Sequence, residues 1–552
     1  MKTDAEISQE ARLEPISKIA AKLNIPSSAQ SAYGNQIAKI SNQVPDQETK
    51  QKLVLVTATN PTKAGEGKST VLIGLGDALT KLGQRTAIAI REPSMGPVFG
   101  MKGGAAGGGY SQIEPMIEIN LNFTGDLHAI TEAHNTLAAL IDNSIFHGNP
   151  LNLDPDNIVW NRVEDVNDRG LRRIQLQRGK LREQQPANSS FSITAASEIM
   201  AILCLAANLA DLKHRLGQIL IGYNQKHEPV LVSDLGVQDA LTIILKDALQ
   251  PNLVQTLAGT PAIVHGGPFA NIAMGCNSIL ATKLGLKTAD YTLTEAGFGA
   301  DLGGQKFMDL VTPQLQKTPD AVVVVASVRS LKLNGNQAES TLDQENMPAL
   351  RQGVANLDRH VQAMEAYGKP VIVAINQFSS DTDAELALLE QHLQKRHVPH
   401  ALTTTFQNGG AGALELGKLV QKACDQTADF HRTYKPQDSL ELKLTKIAQR
   451  SYGARKVTFS ESAHSQLIDI KQRGWDKLPV CISKTQYSLT DDPQKMGAPT
   501  GFEIHITKLE PKLGAGFIVA QAGKIITMPG LPTMPAASNM KITDQGEISG
   551  LF

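Results

Sequence analysis

An α/β fold is what the sequence predicts: a mostly parallel sheet with helices on both faces, with smaller α/β domains attached. Three observations carry this reading. Short β-branched runs alternate with longer helical patterns, the order expected of strands joined by crossover helices. The runs are apolar nearly throughout, as strands covered on both faces are. With 552 residues, 41% hydrophobic and 19% charged, the chain has the length for roughly two to four globular domains.

The first clear strand is "KLVLVTAT" (Lys52–Thr59), and "RTAIAI" (Arg85–Ile90) is the second. Between them "STVLIGLGDALTKLG" repeats its apolar residues at helical spacing. An elaboration on the sheet is expected at about 140–260. It includes the apolar run "ITAASEIMAILCLAANLA", too short and too polar for a membrane span, which reads as a buried helix. Further strands are expected in "PVLVSDL" (Pro229–Leu235), "AVVVVAS" (Ala321–Ser327) and "PVIVAIN" (Pro370–Asn376). A polar, proline-containing stretch near 430 divides a core of residues 1–430 from a C-terminal domain of residues 431–552. The latter holds a Gly- and Pro-rich segment, Met496–Ala537.

Lys+Arg (53) and Asp+Glu (54) nearly cancel, so no global field recruits nucleic acid or an anionic membrane. The cysteines, Cys204, Cys276, Cys424 and Cys481, are far apart and form no C-x-x-C. That argues against a zinc cluster or disulfide framework and for a reduced, cytoplasmic setting. The N-terminus, with early acids and no apolar run, is neither a secretory signal nor a transit peptide.

The stretch "TKAGEGKST" (Thr62–Thr70) follows the first strand and opens the helix, the context a phosphate-binding P-loop requires. Gly67, Lys68 and Ser69 supply the end of the G-x-x-x-x-G-K-[ST] pattern, while Thr62 stands where its first glycine belongs. In this P-loop NTPase-like reading, Thr62, Lys63, Ala64, Gly65, Glu66, Gly67, Lys68 and Ser69 surround a nucleotide phosphate. The amides of Ala64 to Ser69 face it, Lys68 reaches the distal phosphates, and the Ser69 hydroxyl ligates Mg²⁺. The alternative is a glycine turn with a solvated lysine. Arg91 ends the second strand, so it points to the same carboxyl rim and can hold an oxyanion. Its alternative is a salt bridge to Glu92 or another acid. In "NFTGDLHAITEAHN", Asp126 could orient an amine, whereas His128 and His134 do not share a helical face and suggest no metal site.

Longer blocks are more specific. "REPSMGPVFGMKGGAAGGGYSQIEPMIEINLNFTGDLHAI", "DLGVQDALTIILKDALQPNLVQTLAGTPAIVHGGPFANIA", "EAGFGADLGGQKF", "VAINQFSSDTDAE", "LPVCISKTQYSLTDDP" and "GAGFIVAQAGKIITMPGLPTMPAA" run nearly to the C-terminus. In these the chain closely resembles the formate–tetrahydrofolate ligases, a family that tolerates Thr at the loop's first position. The resemblance implies ATP-dependent joining of formate to tetrahydrofolate through formyl phosphate, giving 10-formyltetrahydrofolate, ADP and phosphate. It implies catalytic roles for Lys68, Arg91 and Asp126, the last on the folate side. Phe298, Phe378 and Phe406 match family aromatics around adenine and pterin. Also implied are ATP with Mg²⁺, activation by K⁺ or NH₄⁺, polyglutamylated tetrahydrofolate as substrate, and a homotetramer. The chain departs from the family pattern at Lys63, Met274, Gln305, Gln377, Ser379 and Phe406. A nucleotide-switch ATPase or GTPase is the competing class, but Gln377 and Ser379 break the N-K-x-D guanine reader that "VAIN" begins.

Overall fold

The computed structural model describes residues 2–63, 65–100, 106–178 and 185–551. Ten strands form one continuous path across the main sheet. In chain order they are β1 (Gln30–Tyr33), β2 (Ile37–Ile40), β3 (Lys52–Ala58), β4 (Thr86–Ile90) and β5 (Asn252–Thr256), then β6 (Pro261–Val264), β7 (Tyr291–Glu295), β8 (Ala321–Ala326), β9 (Val371–Asn376) and β10 (His400–Thr403). Their spatial order is β1-β2-β5-β6-β4-β7-β3-β8-β9-β10. Every pair from β6 to β10 is parallel. The β1-β2-β5-β6 side is antiparallel.

Strands β4, β8 and β9 are buried at every position, as their apolar runs require, and β7 is buried throughout although its sequence is not an apolar run. Alternation along each strand then feeds two cores. Leu53 and Leu55 of β3, with Val322 and Val324 of β8, enter one; Val54, Val56, Val323 and Val325 enter the other. Each such side chain contributes roughly 1.5–3 kcal/mol by leaving water, so the sheet must be covered on both faces.

The helix α1 (Lys68–Lys81) lies on the second face and buries Val71, Leu72, Ile73, Leu75, Ala78 and Leu79. It also buries Asp77, which accepts a hydrogen bond from the Thr256 hydroxyl on β5 (2.6 Å) and has no hydrogen-bond partner for its other oxygen among the described residues. Burial pushes this carboxyl up from 3.8 to about 6. A folded-state value above the unfolded one means that protonated Asp77 favours the fold below about pH 4, and this contribution drains away as pH rises through 6. The shift corresponds to about 3 kcal/mol. Asp77→Asn is therefore expected to flatten the pH dependence of urea stability between pH 4 and 7 by about 2–3 kcal/mol; an unchanged slope would refute the assignment.

Two expected elements differ. "PVLVSDL" is not a main-sheet strand: Pro229–Leu231 pairs antiparallel in a separate three-stranded sheet, and Val232–Leu235 turns helical. Asp234 causes the change by accepting from the Leu231 amide (2.7 Å), an N-terminal capping geometry. The apolar run of the elaboration is broken into helices Glu198–Leu205 and Leu209–Gly217, because Asn208 caps the second by accepting from the Asp211 amide (2.9 Å).

Toward the C-terminus a four-stranded sheet (Lys456–Phe459, Glu503–Lys512, Phe517–Ala522, Val480–Ser483) packs over its own core around Leu444, Ile482, Ile504 and Ile518. Lys484, just past Val480–Ser483, makes a fully buried ion pair with Asp301 (2.7 Å). Nearby, Asn60 donates to the Gln486 carbonyl (3.1 Å), bracing the exit of β3. No helix among the described residues is long and apolar enough to cross a membrane. The four cysteines are unpaired and buried.

Candidate functional site

Sheet order builds the site. Although β3 and β4 are consecutive in the chain, β7 lies between them and pairs with both. Three chain exits therefore meet at one carboxyl rim: the loop leading to α1 after β3, Arg91 after β4, and Glu295, the last residue of β7. Lys68 Nζ and Ser69 Oγ each donate to Glu295 Oε2 at 2.8 Å. Arg91 donates through Nη2 (3.1 Å) and Nε (3.3 Å) to Glu295 Oε1. Burial opposes ionisation of Glu295, but Lys68 and Arg91 outweigh it and hold the carboxyl far below its usual range. Burial also lowers Lys68, with Glu295 opposing. The loop lysine is thus no solvated side chain, and Arg91 pairs across the sheet with Glu295, not with Glu92. Gly297 permits the approach: a Cβ there would sit 2.8 Å from Arg91 Nη1.

Thr62 needs no glycine. Among the described residues of the loop the left-handed ones are Gly65 (φ +85°) and Gly67 (φ +70°), and position 62 is not one of them. Thr62 instead strengthens the turn, its amide donating to Glu66 Oε1 (2.8 Å) and its hydroxyl to the Gly65 carbonyl (3.2 Å). Glu66 is buried, which raises its pKa; it also accepts from the Ser327 hydroxyl beyond β8. A Cβ on Gly67 would lie 2.3 Å from Asn376 Nδ2, the group that donates to the Glu66 carbonyl (3.0 Å). The loop is tied in this way to β8 and β9. The N-cap residue of α1 is Gly67, which offers no side-chain cap to the first-turn amides. Lys63 faces outward and pairs with Glu339 (2.6 Å). Ala64 lies outside the described residues, as do residues 101–105 of the glycine-rich run.

Asp126 is joined to this cluster by no hydrogen bond among the described residues. It is the first residue of α2 (Asp126–Phe146), where Lys39 Nζ donates to Oδ1 (2.7 Å) and Asn252 Nδ2 to Oδ2 (2.8 Å). The link to Arg91 runs through Glu92, whose carboxyl is raised by burial and by the negative charge of Asp126 and Asp165. His134 is structural: it stacks on Trp160 (4.0 Å), and burial lowers it to about 3.

The aromatics are spread along the rim. Phe298 follows Glu295 by three residues and holds a left-handed backbone (φ +58°), just before wide π-type turns at Ala300–Gly304 and Phe307–Val311. Phe378 follows β9, with the Arg329 guanidinium 5.6 Å from its ring centre. Phe406 follows β10, is 41% exposed, and lines a cavity of about 390 Å³ with Ile7 and Tyr110. Among the departures, Met274 is packed in the core, and Gln305 donates to Asp309 (2.8 Å). Gln377 is held by its amide to the Thr403 carbonyl (3.0 Å), and Ser379 is exposed. A larger cavity of about 710 Å³ lies between the elaboration and the C-terminal sheet, away from the loop. Part of its charged lining is paired, Arg473 with Asp469 and Lys508 with Glu510.

Glu295 is the site residue that reading the sequence missed. The rule that placed Arg91 at the rim, a polar residue at the carboxyl end of a parallel strand, applies equally to it.

Fold and site together define an α/β protein whose polar chemistry gathers at the carboxyl rim of a parallel sheet. Within that class the chain belongs to the formate–tetrahydrofolate ligase family, whose model matches residues 2–552. It is 57% identical over 552 residues to the formate–tetrahydrofolate ligase of Limosilactobacillus reuteri, covering 100% of both chains. It is 56% identical over 553 aligned residues to formate–tetrahydrofolate ligase 2 of Lactobacillus acidophilus, and 54% over 549 to the enzyme of Lactiplantibacillus plantarum, again covering 100% of each chain.

Proposed function

We propose that the cluster of Lys68, Ser69, Arg91 and Glu295 is the phosphoryl-transfer site of an enzyme that joins formate to tetrahydrofolate at the expense of ATP. The supporting observation is the convergence of two cations and a hydroxyl, from two different strand exits, on one anion position beside the N-terminus of α1. Formate is a poor acyl donor until phosphate replaces its hydroxyl. One formate oxygen attacks the γ-phosphorus, the bond from that phosphorus to the bridging oxygen breaks, and ADP departs. N10 of the folate then attacks the formyl carbon, the carbon–oxygen bond to phosphate breaks, and the amine gives up its proton. Lys68 and Arg91 stabilise charge on the transferred phosphoryl oxygens. On family resemblance Asp126 serves the folate half, near the attacking amine. Phe298, Phe378 and Phe406 supply flat surfaces for adenine and pterin, and Thr62 through Ser69, Lys63 and Ala64 included, enclose the phosphates.

Ser69 Oγ and the Glu295 carboxylate, 2.8 Å apart, are hard oxygen donors that suit Mg²⁺ bound together with ATP phosphates. When bound, the ion adds charge neutralisation at those oxygens. Glu92 Oε2, buried without a hydrogen-bond partner among the described residues, is an oxygen that K⁺ or NH₄⁺ activation can use. A boundary near 430 is supported by the separate sheet and core that follow it. A homotetramer, polyglutamylated folate and a cytoplasmic setting complete the proposal on family resemblance.

The test is purified protein with saturating ATP, Mg²⁺, K⁺, formate and tetrahydrofolate. Acid converts the product to its ultraviolet-absorbing methenyl form. Absence of formate-dependent product would sink the proposal.

A further inference from the structure

Glu295 stands where an incoming phosphate must go. Its two oxygens take Lys68, Ser69 and Arg91 at 2.8 to 3.3 Å, so the ligand-free cradle is already neutralised by a carboxylate of the chain itself. That carboxylate is closely packed. It ends a fully buried strand wedged between β3 and β4, its side chain is 5% exposed, and the next two residues, Ala296 and Gly297, are buried as well. An ATP tail brought to Lys68 and Arg91 therefore meets a negative charge at hydrogen-bonding range, inside a site with little water to screen it.

We propose that Glu295 is a specificity-determining residue that makes nucleotide binding conditional on a divalent cation. Free ATP is repelled by the carboxylate and competes with it for the same two cations. ATP carrying Mg²⁺ brings the charge that the carboxylate needs, and Lys68 and Arg91 are released to the phosphates. Selectivity of this kind comes from a built-in repulsion against the wrong ligand form, not from an added attraction to the right one. Any P-loop lysine attracts phosphate; a lysine and an arginine already held by a buried carboxylate attract it only on this condition. The inference rests on nucleotide occupying the Lys68–Arg91 cradle as proposed above.

The experiment is calorimetric titration of the full-length protein with ATP, once in excess Mg²⁺ and once in EDTA, without formate or folate. The ratio of the two affinities is compared between wild type and Glu295→Gln. The wild type should prefer Mg²⁺-ATP strongly. In Glu295→Gln the ratio should fall at least tenfold, mainly because free ATP binds more tightly; a smaller fall overturns the proposal. Glu295→Ala, which removes the charge without placing an amide beside two cations, is judged by the same criterion should the glutamine variant not fold. Glu295→Asp keeps the charge and should keep the preference. A wild type that binds ATP under neither condition removes the nucleotide site itself, whereas binding with an unaltered ratio in the variants removes only the role of Glu295.

Discussion

Lys68→Ala should lower formate-dependent turnover by about 10²–10³-fold, and Arg91→Ala should fall in the same range. The two cations reach one anion position from different strands, so each is a preorganised donor to charge that grows during transfer. Neither change should unfold the protein. Glu295 keeps Arg91 and Ser69 in the first variant, and Lys68 and Ser69 in the second, so the buried carboxylate is never orphaned. Far-ultraviolet circular dichroism should match wild type in both. Arg91→Lys should not restore the rate, since an ammonium lacks the planar fork that presents Nε and Nη2 together. The losses should not add in the double variant, because the groups act on the same charge. A rate within a few-fold of wild type in either single variant would reject its assigned role.

Lys39→Met should cost about 3–5 kcal/mol, read from the first transition of a urea melt. Lys39 and Asp126 are each 2% exposed, and their ion pair fastens β2 to the start of α2, with Asn252 of β5 as the third member. Removing the lysine leaves a carboxylate in the interior with one neutral donor. Asp126→Ala should cost a similar amount, leaving the Lys39 ammonium with the Gln250 carbonyl at 3.3 Å. Replacing both, as Lys39→Met with Asp126→Leu, should recover much of the loss, because a buried pair is dear to break yet cheap to replace with apolar volume. A single-variant cost below about 1 kcal/mol would contradict this account. The pair also changes how activity data are read. A stable double variant without turnover assigns Asp126 to chemistry, and one that turns over assigns it to the fold.

Strands β3, β4, β8 and β9 were legible because their apolar runs are almost unbroken, and local spacing was enough to find α1 and the loop. Strand β7 was not legible: "YTLTE" places threonines at two of its five positions. Thr292 and Thr294 are nevertheless fully buried; the Thr294 hydroxyl donates to Asn277 Oδ1 (2.8 Å), while that of Thr292 has no hydrogen-bond partner among the described residues. A satisfied hydroxyl can occupy an apolar layer, which a hydrophobicity pattern reads as surface. The insertion of β7 between two consecutive strands is a long-range fact that no local signal encodes, and Glu295 was lost with it. Thr62 departs from the motif without disturbing the loop. A motif records which residue is usual, whereas the backbone asks only which positions need a positive φ, and among the described loop residues those are 65 and 67.

The interposed strand also has a consequence in time. Lys68 and Glu295 are separated by 227 residues. At translation rates of about 5–20 residues per second, the loop and its helix leave the ribosome roughly 10–45 seconds before the strand that completes their site. Throughout that interval the facing edges of β3 and β4 can pair with one another, a register the finished sheet never uses. The nascent chain must therefore hold a slot open, or reopen it, before the ligand-binding rim exists at all.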